Sequence, residues 1–165
     1  MLILGLDPGT ATTGYGLVRE VEGELAVVEY GAITTPAQLA PAERLRQIYQ
    51  ELSAIIARHA PAAVAVEKLF FSRNVRTAMA VGQARGVALL AAANAGLPVY
   101  EYTPSEVKQA ITGYGGARKA QVQQMVQLLL ELEEVPRPDD VADAIAVAVC
   151  HLYSARLMDL LARQE

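Results

Sequence analysis

The sequence predicts an α/β protein in which helices flank a mixed five-stranded sheet. Its first part consists of three apolar segments joined by turn residues, which is typical of antiparallel strands. The remainder alternates helical segments with short apolar strands, a pattern that favours parallel pairing. The two patterns together indicate one sheet with both kinds of strand pairing.

The first three strands are predicted over residues 1–7, 14–21 and 25–33. Gly14 and Gly16 suit the first turn, and Glu22-Gly23 suits the second, because glycine adopts turn conformations at little steric cost.

The helices are predicted from apolar residues at helical spacing, such as Ile48, Leu52 and Ile55. They cover residues 41–58, 75–94, a short stretch after Pro104, 119–132, and 139 to about 163. Two further strands lie between them, residues 62–66, which lead into Glu67, and residues 97–102.

Composition limits the class of protein. The 165 residues, 53% of them hydrophobic, are most simply one domain spanning residues 1–165. The single cysteine, Cys150, excludes an internal disulfide and indicates a reducing compartment. No signal-peptide pattern begins the chain, and the longest apolar run, Val87 to Ala93, is far below the ~20 residues of a membrane span. We therefore expect a cytoplasmic protein with no membrane partner.

Charge is unevenly distributed along the chain. The net charge of −4 argues against a general nucleic-acid binder. Residues 68–119, however, hold seven Lys or Arg against two Glu, whereas the rest of the chain is strongly acidic. A basic middle indicates either a local phosphate-binding face or a solvated surface, and charge alone does not separate the two.

Carboxylates stand at the ends of two predicted strands, Asp7 after the first and Glu67 after the fourth. If these strands are adjacent and parallel, both side chains emerge at the edge where α/β sheets bind ligands. The last helix opens with more acids. Asp139 and Asp140 are each spaced to share a helical face with Asp143, so spacing does not choose between them.

Converging carboxylates without nearby Cys or His predict a site for Mg²⁺ or Mn²⁺ rather than Zn²⁺. Two such ions can activate a water molecule and stabilise the leaving oxygen of a phosphodiester. The acids of the last helix could instead cap it and complement its dipole. His151 lies eight residues beyond Asp143, too far to share a metal ion, and His59 suits a role at a helix end.

The turn after Asp7 is compatible with two functions. Asp-x-Gly-Thr on a hairpin resembles the phosphate loop of the actin, sugar-kinase and chaperone ATPase superfamily, which binds Mg²⁺-ATP. Nucleases of the ribonuclease H-like fold share the hairpin and the acidic site. The nuclease is favoured because the ATPases need two such domains and this chain has the length of one. The later acids and the basic middle favour it as well.

A series of motifs runs in order over nearly the whole chain. They are Gly5 to Thr10 with Thr13 to Gly16, Val66-Glu67, Gly82 to Val87, Val107 to Gln109, Lys119 to Gln123, and Asp140 to Ala144. The series resembles the RuvC family of bacterial Holliday junction resolvases. So many matches in one order are far more specific than the first motif alone.

The resemblance implies a ribonuclease H-like fold and a homodimer that cuts two opposed strands of a four-way DNA junction. It implies two Mg²⁺ ions per active site, for which Mn²⁺ can substitute, and a branch-migration helicase complex as a partner. The catalytic and metal-binding acids that it implies are Asp7, Glu67, Asp140 and Asp143. It thereby selects Asp140 over Asp139. An RNA-processing nuclease of the same fold stays an alternative.

Further residues are expected to contact DNA. The two functional lysines of the family fall at Lys108 and Lys119, and its base-stacking phenylalanine falls at Phe70. A flat ring beside cations suits stacking on an unpaired base, although Phe70 or its neighbour Phe71 could serve the core instead. The expected DNA-binding set is Phe70, Arg73, Arg76, Lys108, Arg118 and Lys119.

Gly82 and Gly86 lie one helical turn apart, among alanines, in the predicted helix over residues 75–94. Small residues let two backbones approach closely, either inside the fold or at a dimer interface. We expect the two-fold interface on or near this helix.

Overall fold

The computed structural model describes residues 1–68 and 75–162. Its elements, in chain order, are β1 (Leu2–Asp7), β2 (Thr12–Val21), β3 (Glu24–Thr34), α1 (Pro41–His59), β4 (Ala63–Glu67), α2 (Val75–Asn94), β5 (Val99–Tyr102), α3 (Pro104–Thr112), α4 (Lys119–Leu129) and α5 (Asp139–Ala162). The strands form one sheet in the order β3-β2-β1-β4-β5. Pairing is antiparallel from β1 to β3 and parallel from β1 through β4 to β5. The mixed five-stranded sheet predicted from the sequence is confirmed.

Two apolar layers cover the sheet. One contains Ile3, Val18 and most of the buried residues of α5, with contributions from α3 and α4. The other contains Leu4, Leu6 and Leu17, packed against α1 and α2. Consecutive residues of β1 thus alternate between the layers, as the period of a strand requires.

Helix α5 is the central element of the first layer. It is long and apolar enough to span a membrane by length and composition, but half of its apolar stretch is buried inside the fold. Val141, Ile145 and Leu152 are completely buried beneath the sheet. Burial of the helix against the sheet accounts for this composition.

The prediction that Gly14 and Gly16 form the first turn is wrong. Strand β2 begins at Thr12, and both glycines lie within it, opposite Asp7 and Gly5 of β1. Their small size serves packing, because a Cβ on Gly14 would lie 2.0 Å from the carbonyl oxygen of Asp140. Glycine at these positions lets the backbone of α5 lie directly on the sheet.

Candidate active site

The two acidic strand ends lie side by side. Strands β1 and β4 are parallel neighbours, and Leu6 is in register with Val66, so the next residues, Asp7 and Glu67, leave the sheet at the same edge. This confirms the adjacency on which the sequence argument depended. Helix α5 begins at the same place, since the backbone of Asp140 lies against Gly14, the partner of Asp7 in β2.

The acids interact electrostatically. Burial, together with the negative charges of Asp143, Asp140 and Glu67, raises the pKa of Asp7 from 3.8 to about 7. Burial, followed by repulsion from Asp143, also raises the pKa of Glu67. Carboxylates that perturb one another in this way, at the end of a buried strand, are typical of functional sites.

Lys119 forms ion pairs at the edge of this acidic group. Its Nζ donates a hydrogen bond of 2.8 Å to Asp143 Oδ2 and lies 3.5 Å from Asp139 Oδ2. Burial acts to lower the pKa of Lys119, but the bond to Asp143 and the attraction of both aspartates outweigh it, so the pKa is raised. Lys119 therefore stays protonated at the edge of the acidic group.

A cleft of about 280 Å³ opens beside Lys119. Among its lining residues are Glu67, Lys108, Lys119 and Asp143. The cleft thus brings both predicted lysines next to two of the predicted acids, and it can hold a phosphate near carboxylate oxygens.

Within residues 1–68 and 75–162, no three Asp, Glu, His or Cys side chains lie near enough to one another to form a metal centre. Like charges repel one another, and Lys119 holds Asp143 on one side. The donor set nevertheless fits Mg²⁺ or Mn²⁺, because it consists of hard carboxylate oxygens whose burial and crowding raise the pKa of Asp7. A divalent cation would relieve that crowding.

The expected DNA-binding residues have different positions. Lys108 and Lys119 line the cleft just described, and Arg76 lines a second cleft that reaches Asp140. Arg118 is exposed directly before α4, next to Lys119. Phe70 and Arg73 lie outside the described residues, so their roles stay predictions.

Sequence reasoning missed one contact that holds Glu67. Arg85 Nη1 donates a hydrogen bond of 2.6 Å to the carbonyl oxygen of Glu67, and its Nη2 forms an ion pair with Glu101 of β5. Arg85 belongs to a motif of the resemblance, but no spacing rule connects a helix residue with a strand end.

The other candidate ligands lie away from the acids. His59 ends α1, as expected, and its Nε2 lies 2.9 Å from Glu29 Oε2. His151 is buried, with Nδ1 2.7 Å from the hydroxyl of Tyr102. Burial raises the pKa of the Cys150 thiol to about 12, which makes it unreactive.

The family follows from a match to nearly the whole chain. A family described as "Crossover junction endodeoxyribonuclease RuvC" matches residues 3–151. The chain belongs to the RuvC family. The RuvC of Heliobacterium modesticaldum is 62% identical over 93% of this chain and 95% of its own. That of Syntrophomonas wolfei is 58% identical over 98% and 94%.

Solved structures agree with this assignment. Thermus thermophilus RuvC in complex with a Holliday junction substrate superposes with a TM-score of 0.91 at 40% identity, over 95% of this chain and 96% of that one. The yeast mitochondrial resolvase Ydc2 shares the fold, with a TM-score of 0.68 at 14% identity. The ribonuclease H-like fold expected from the RuvC resemblance is thereby confirmed.

Proposed function

We propose that this RuvC-family chain is an endonuclease that resolves Holliday junctions in recombination and repair by paired, symmetric nicks. The observation that carries the proposal is the meeting of Asp7, Glu67 and α5 at one sheet edge, beside two lysines, in a chain of this family. The ATPase and RNA-processing alternatives have no comparable support.

We assign the catalysis to Asp7, Glu67, Asp140 and Asp143. When bound by these acids, two Mg²⁺ ions, or Mn²⁺ in their place, would supply an activated water and stabilise the leaving oxygen of the phosphodiester. The sheet fixes Asp7 and Glu67, and α5 fixes the other two. The four carboxylates therefore extend from fixed backbone positions at one edge of the sheet.

The lysines complete the proposed site. Lys119 partly neutralises Asp143 in the free protein, and its exposed ammonium group is able to exchange that carboxylate for a phosphate oxygen. Lys108 faces the same cleft. Both can anchor the strand and offset charge that builds up at the scissile phosphate. Phe70, Arg73, Arg76 and Arg118 are proposed as outer DNA contacts.

A cleavage assay tests the proposal. Wild-type protein is incubated with a labelled four-way junction, a linear duplex of the same sequence and a structured RNA, each in Mg²⁺, Mn²⁺, Ca²⁺ and EDTA. We expect paired nicks in the junction alone, with Mg²⁺ or Mn²⁺, and none in EDTA. Preferential cutting of the RNA would instead support an RNA-processing nuclease, and saturable ATP binding by calorimetry would support the ATPase.

We also propose a homodimer built on α2. Met79, Gln83, Gly86 and Leu90 are exposed and spaced by four, three and four residues, so they form one stripe along the helix. Met79 is 62% exposed and Leu90 52%, and a Cβ on Gly86 would meet nothing within 4 Å. A stripe with heptad spacing, two exposed apolar side chains and a small residue suits pairing with its own copy.

Leu90→Glu tests this interface. Two buried glutamates facing each other across a two-fold axis would repel, so we expect the dimer to dissociate at least tenfold more readily in analytical ultracentrifugation. Leu128→Glu on α4, where the leucine is 68% exposed, is the matched control and should leave the dimer intact. A Leu90→Glu protein that stays dimeric as the wild type does would contradict the assignment.

Two further proposals complete this function. The protein acts in the cytoplasm, where chromosomal junctions form. A branch-migration helicase complex is its partner, as the family resemblance implies.

A further inference from the structure

A second cleft flanks the acidic group on the side away from Lys108 and Lys119. It has a volume of about 490 Å³ and lies between the β1–β2 turn and helices α1 and α2. Its charged lining residues are Arg44, Arg76 and Asp140. The carboxylates thus have a cationic cleft on each side.

We propose that this cleft binds a backbone phosphate of the junction DNA through Arg44, so that the cut strand runs from the lysine cleft across the acids to α1. The inference rests on the proposed function and extends it to a residue that no motif singled out.

Arg44 is held in place by a chain of hydrogen bonds. Its Nε donates a hydrogen bond of 2.7 Å to Thr35 Oγ1, and that hydroxyl donates a hydrogen bond of 2.6 Å to the carbonyl oxygen of Thr10. Thr10 Oγ1 in turn donates a hydrogen bond of 2.8 Å to the carbonyl oxygen of Ala80 in α2. Thr35 is only 7% exposed, so the anchor is buried.

This anchoring suits phosphate binding. Nε is fixed by Thr35, which leaves the two terminal nitrogens of the guanidinium for a ligand. A preorganised arginine loses little rotamer freedom when it binds an anion, and its planar fork matches phosphate oxygens. The chain also passes through Thr10, three residues after Asp7, so the cation has a fixed position relative to the acids.

The charge of Arg44 is not used by the fold. Among residues 1–68 and 75–162, Arg44 and Arg76 form no ion pair. Arg46, two residues further along α1, pairs with Glu43. Two such cations beside Asp140 favour a polyanion over a neutral or basic partner. The DNA backbone is the polyanion that the proposed reaction brings to this edge of the sheet.

The salt dependence of junction binding tests the inference. We measure the dissociation constant of an uncut four-way junction in EDTA between 50 and 300 mM salt, for wild type, Arg44→Gln and Arg46→Gln. Loss of one phosphate contact should weaken binding about fivefold and reduce the slope of log K against log salt by about 0.7 to 0.9. Arg46→Gln should match the wild type in both.

A second variant separates binding from bracing. Thr35→Val removes the acceptor of Nε but keeps the cation, so it should lower the melting temperature while keeping most of the salt slope. If Arg44 merely braces the turn, Arg44→Gln and Thr35→Val will lower the melting temperature alike, and both will keep the wild-type slope. That result overturns the inference.

Two other outcomes distinguish failure of the proposed function from failure of the inference about Arg44. A wild-type protein that neither binds nor cuts junctions contradicts the proposed function itself. Saturable ATP binding that Arg44→Gln abolishes means that the cleft takes a free nucleotide, and it overturns the DNA inference even if junctions are cut.

Discussion

Asp7→Asn should abolish junction cutting, spare junction binding and make the metal-free protein more heat-stable at pH 8. The first effect follows from the loss of a charged ligand for the catalytic cations, for which we expect a rate reduction of at least about 10³-fold. Binding survives because the lysines and arginines that hold phosphates are unchanged. The third effect follows from the perturbed pKa of Asp7.

The raised pKa of Asp7 makes its ionised form a cost to the folded state. Asp7 titrates at about 7 in the folded protein, against 3.8 as the ordinary value. The folded state therefore holds a proton that the unfolded state has already released, and stability falls as the pH rises from about 4 to 7. Above pH 7 the penalty is complete, with an upper limit of about 4 kcal/mol. Asparagine carries no such penalty.

Thermal unfolding in EDTA from pH 4 to 8 measures this effect. The two proteins should melt together near pH 4, and Asp7→Asn should gain stability progressively up to pH 7. EDTA is needed because a bound cation would stabilise the wild type selectively. An Asp7→Asn protein that cuts junctions normally would remove Asp7 from the catalytic set.

Asp139→Asn is the matched control. Asp139 begins the same helix, but the neighbouring side chain of Gln123 and the charges of Lys119 and Arg137 lower its pKa. Its removal should therefore cost stability at neutral pH rather than add it, and most of the cutting activity should remain. If Asp139→Asn abolished cutting and Asp140→Asn did not, the choice between these neighbours would be reversed.

The site was predictable where one strand or helix carries the information. Asp7 and Glu67 each end an apolar run, so parallel adjacency alone brings them together, and β1 and β4 are indeed neighbours. Spacing within α5 could not choose between Asp139 and Asp140, because both share a face with Asp143. In the structure Asp139 pairs with Arg137 and Lys119, while the backbone of Asp140 lies against Gly14.

Contacts between distant segments left no local signal. Gly14 and Gly16 suited a turn, and their actual role depends on a helix that starts more than 120 residues later. The chain from Arg44 through Thr35 to Thr10 joins three separate segments, none of which has a recognisable motif for it. The same holds for Arg85 and the carbonyl oxygen of Glu67. Periodicity in the sequence predicts which residues share a face of one helix or strand. It does not predict which residues of different elements contact each other.

Gly14→Ala should disrupt the site through packing alone. A Cβ at this position would lie 2.0 Å from the carbonyl oxygen of Asp140 and 2.8 Å from the backbone nitrogen of Val141. Backbone atoms cannot rotate away as a side chain would, so the start of α5 must shift by more than 1 Å. We expect the free energy of unfolding to fall by about 3 kcal/mol, the upper end of the usual range for overpacked sites.

Activity should fall further than stability. The shift displaces Asp140 relative to Asp7, and a misplacement of about 1 Å in a catalytic group can cost about 100-fold in rate. Cleavage rates measured well below the melting temperature, together with junction affinity, separate the two effects. We expect affinity to stay within about threefold of the wild type, because every lysine and arginine expected to contact a phosphate is retained in this variant.

Gly23→Asn, in the turn that follows β2, is the control. Gly23 has φ of +91°, and a Cβ at this position would lie 3.2 Å from its nearest neighbour, the flexible guanidinium of Arg156. Asparagine tolerates a left-handed backbone conformation. The free energy of unfolding of this variant should therefore fall by less than about 1 kcal/mol, and its cutting rate should be unchanged. If Gly14→Ala cut junctions at the wild-type rate, close contact between α5 and β2 would not be what aligns Asp140 with Asp7, and the geometric basis of the proposed site would fail.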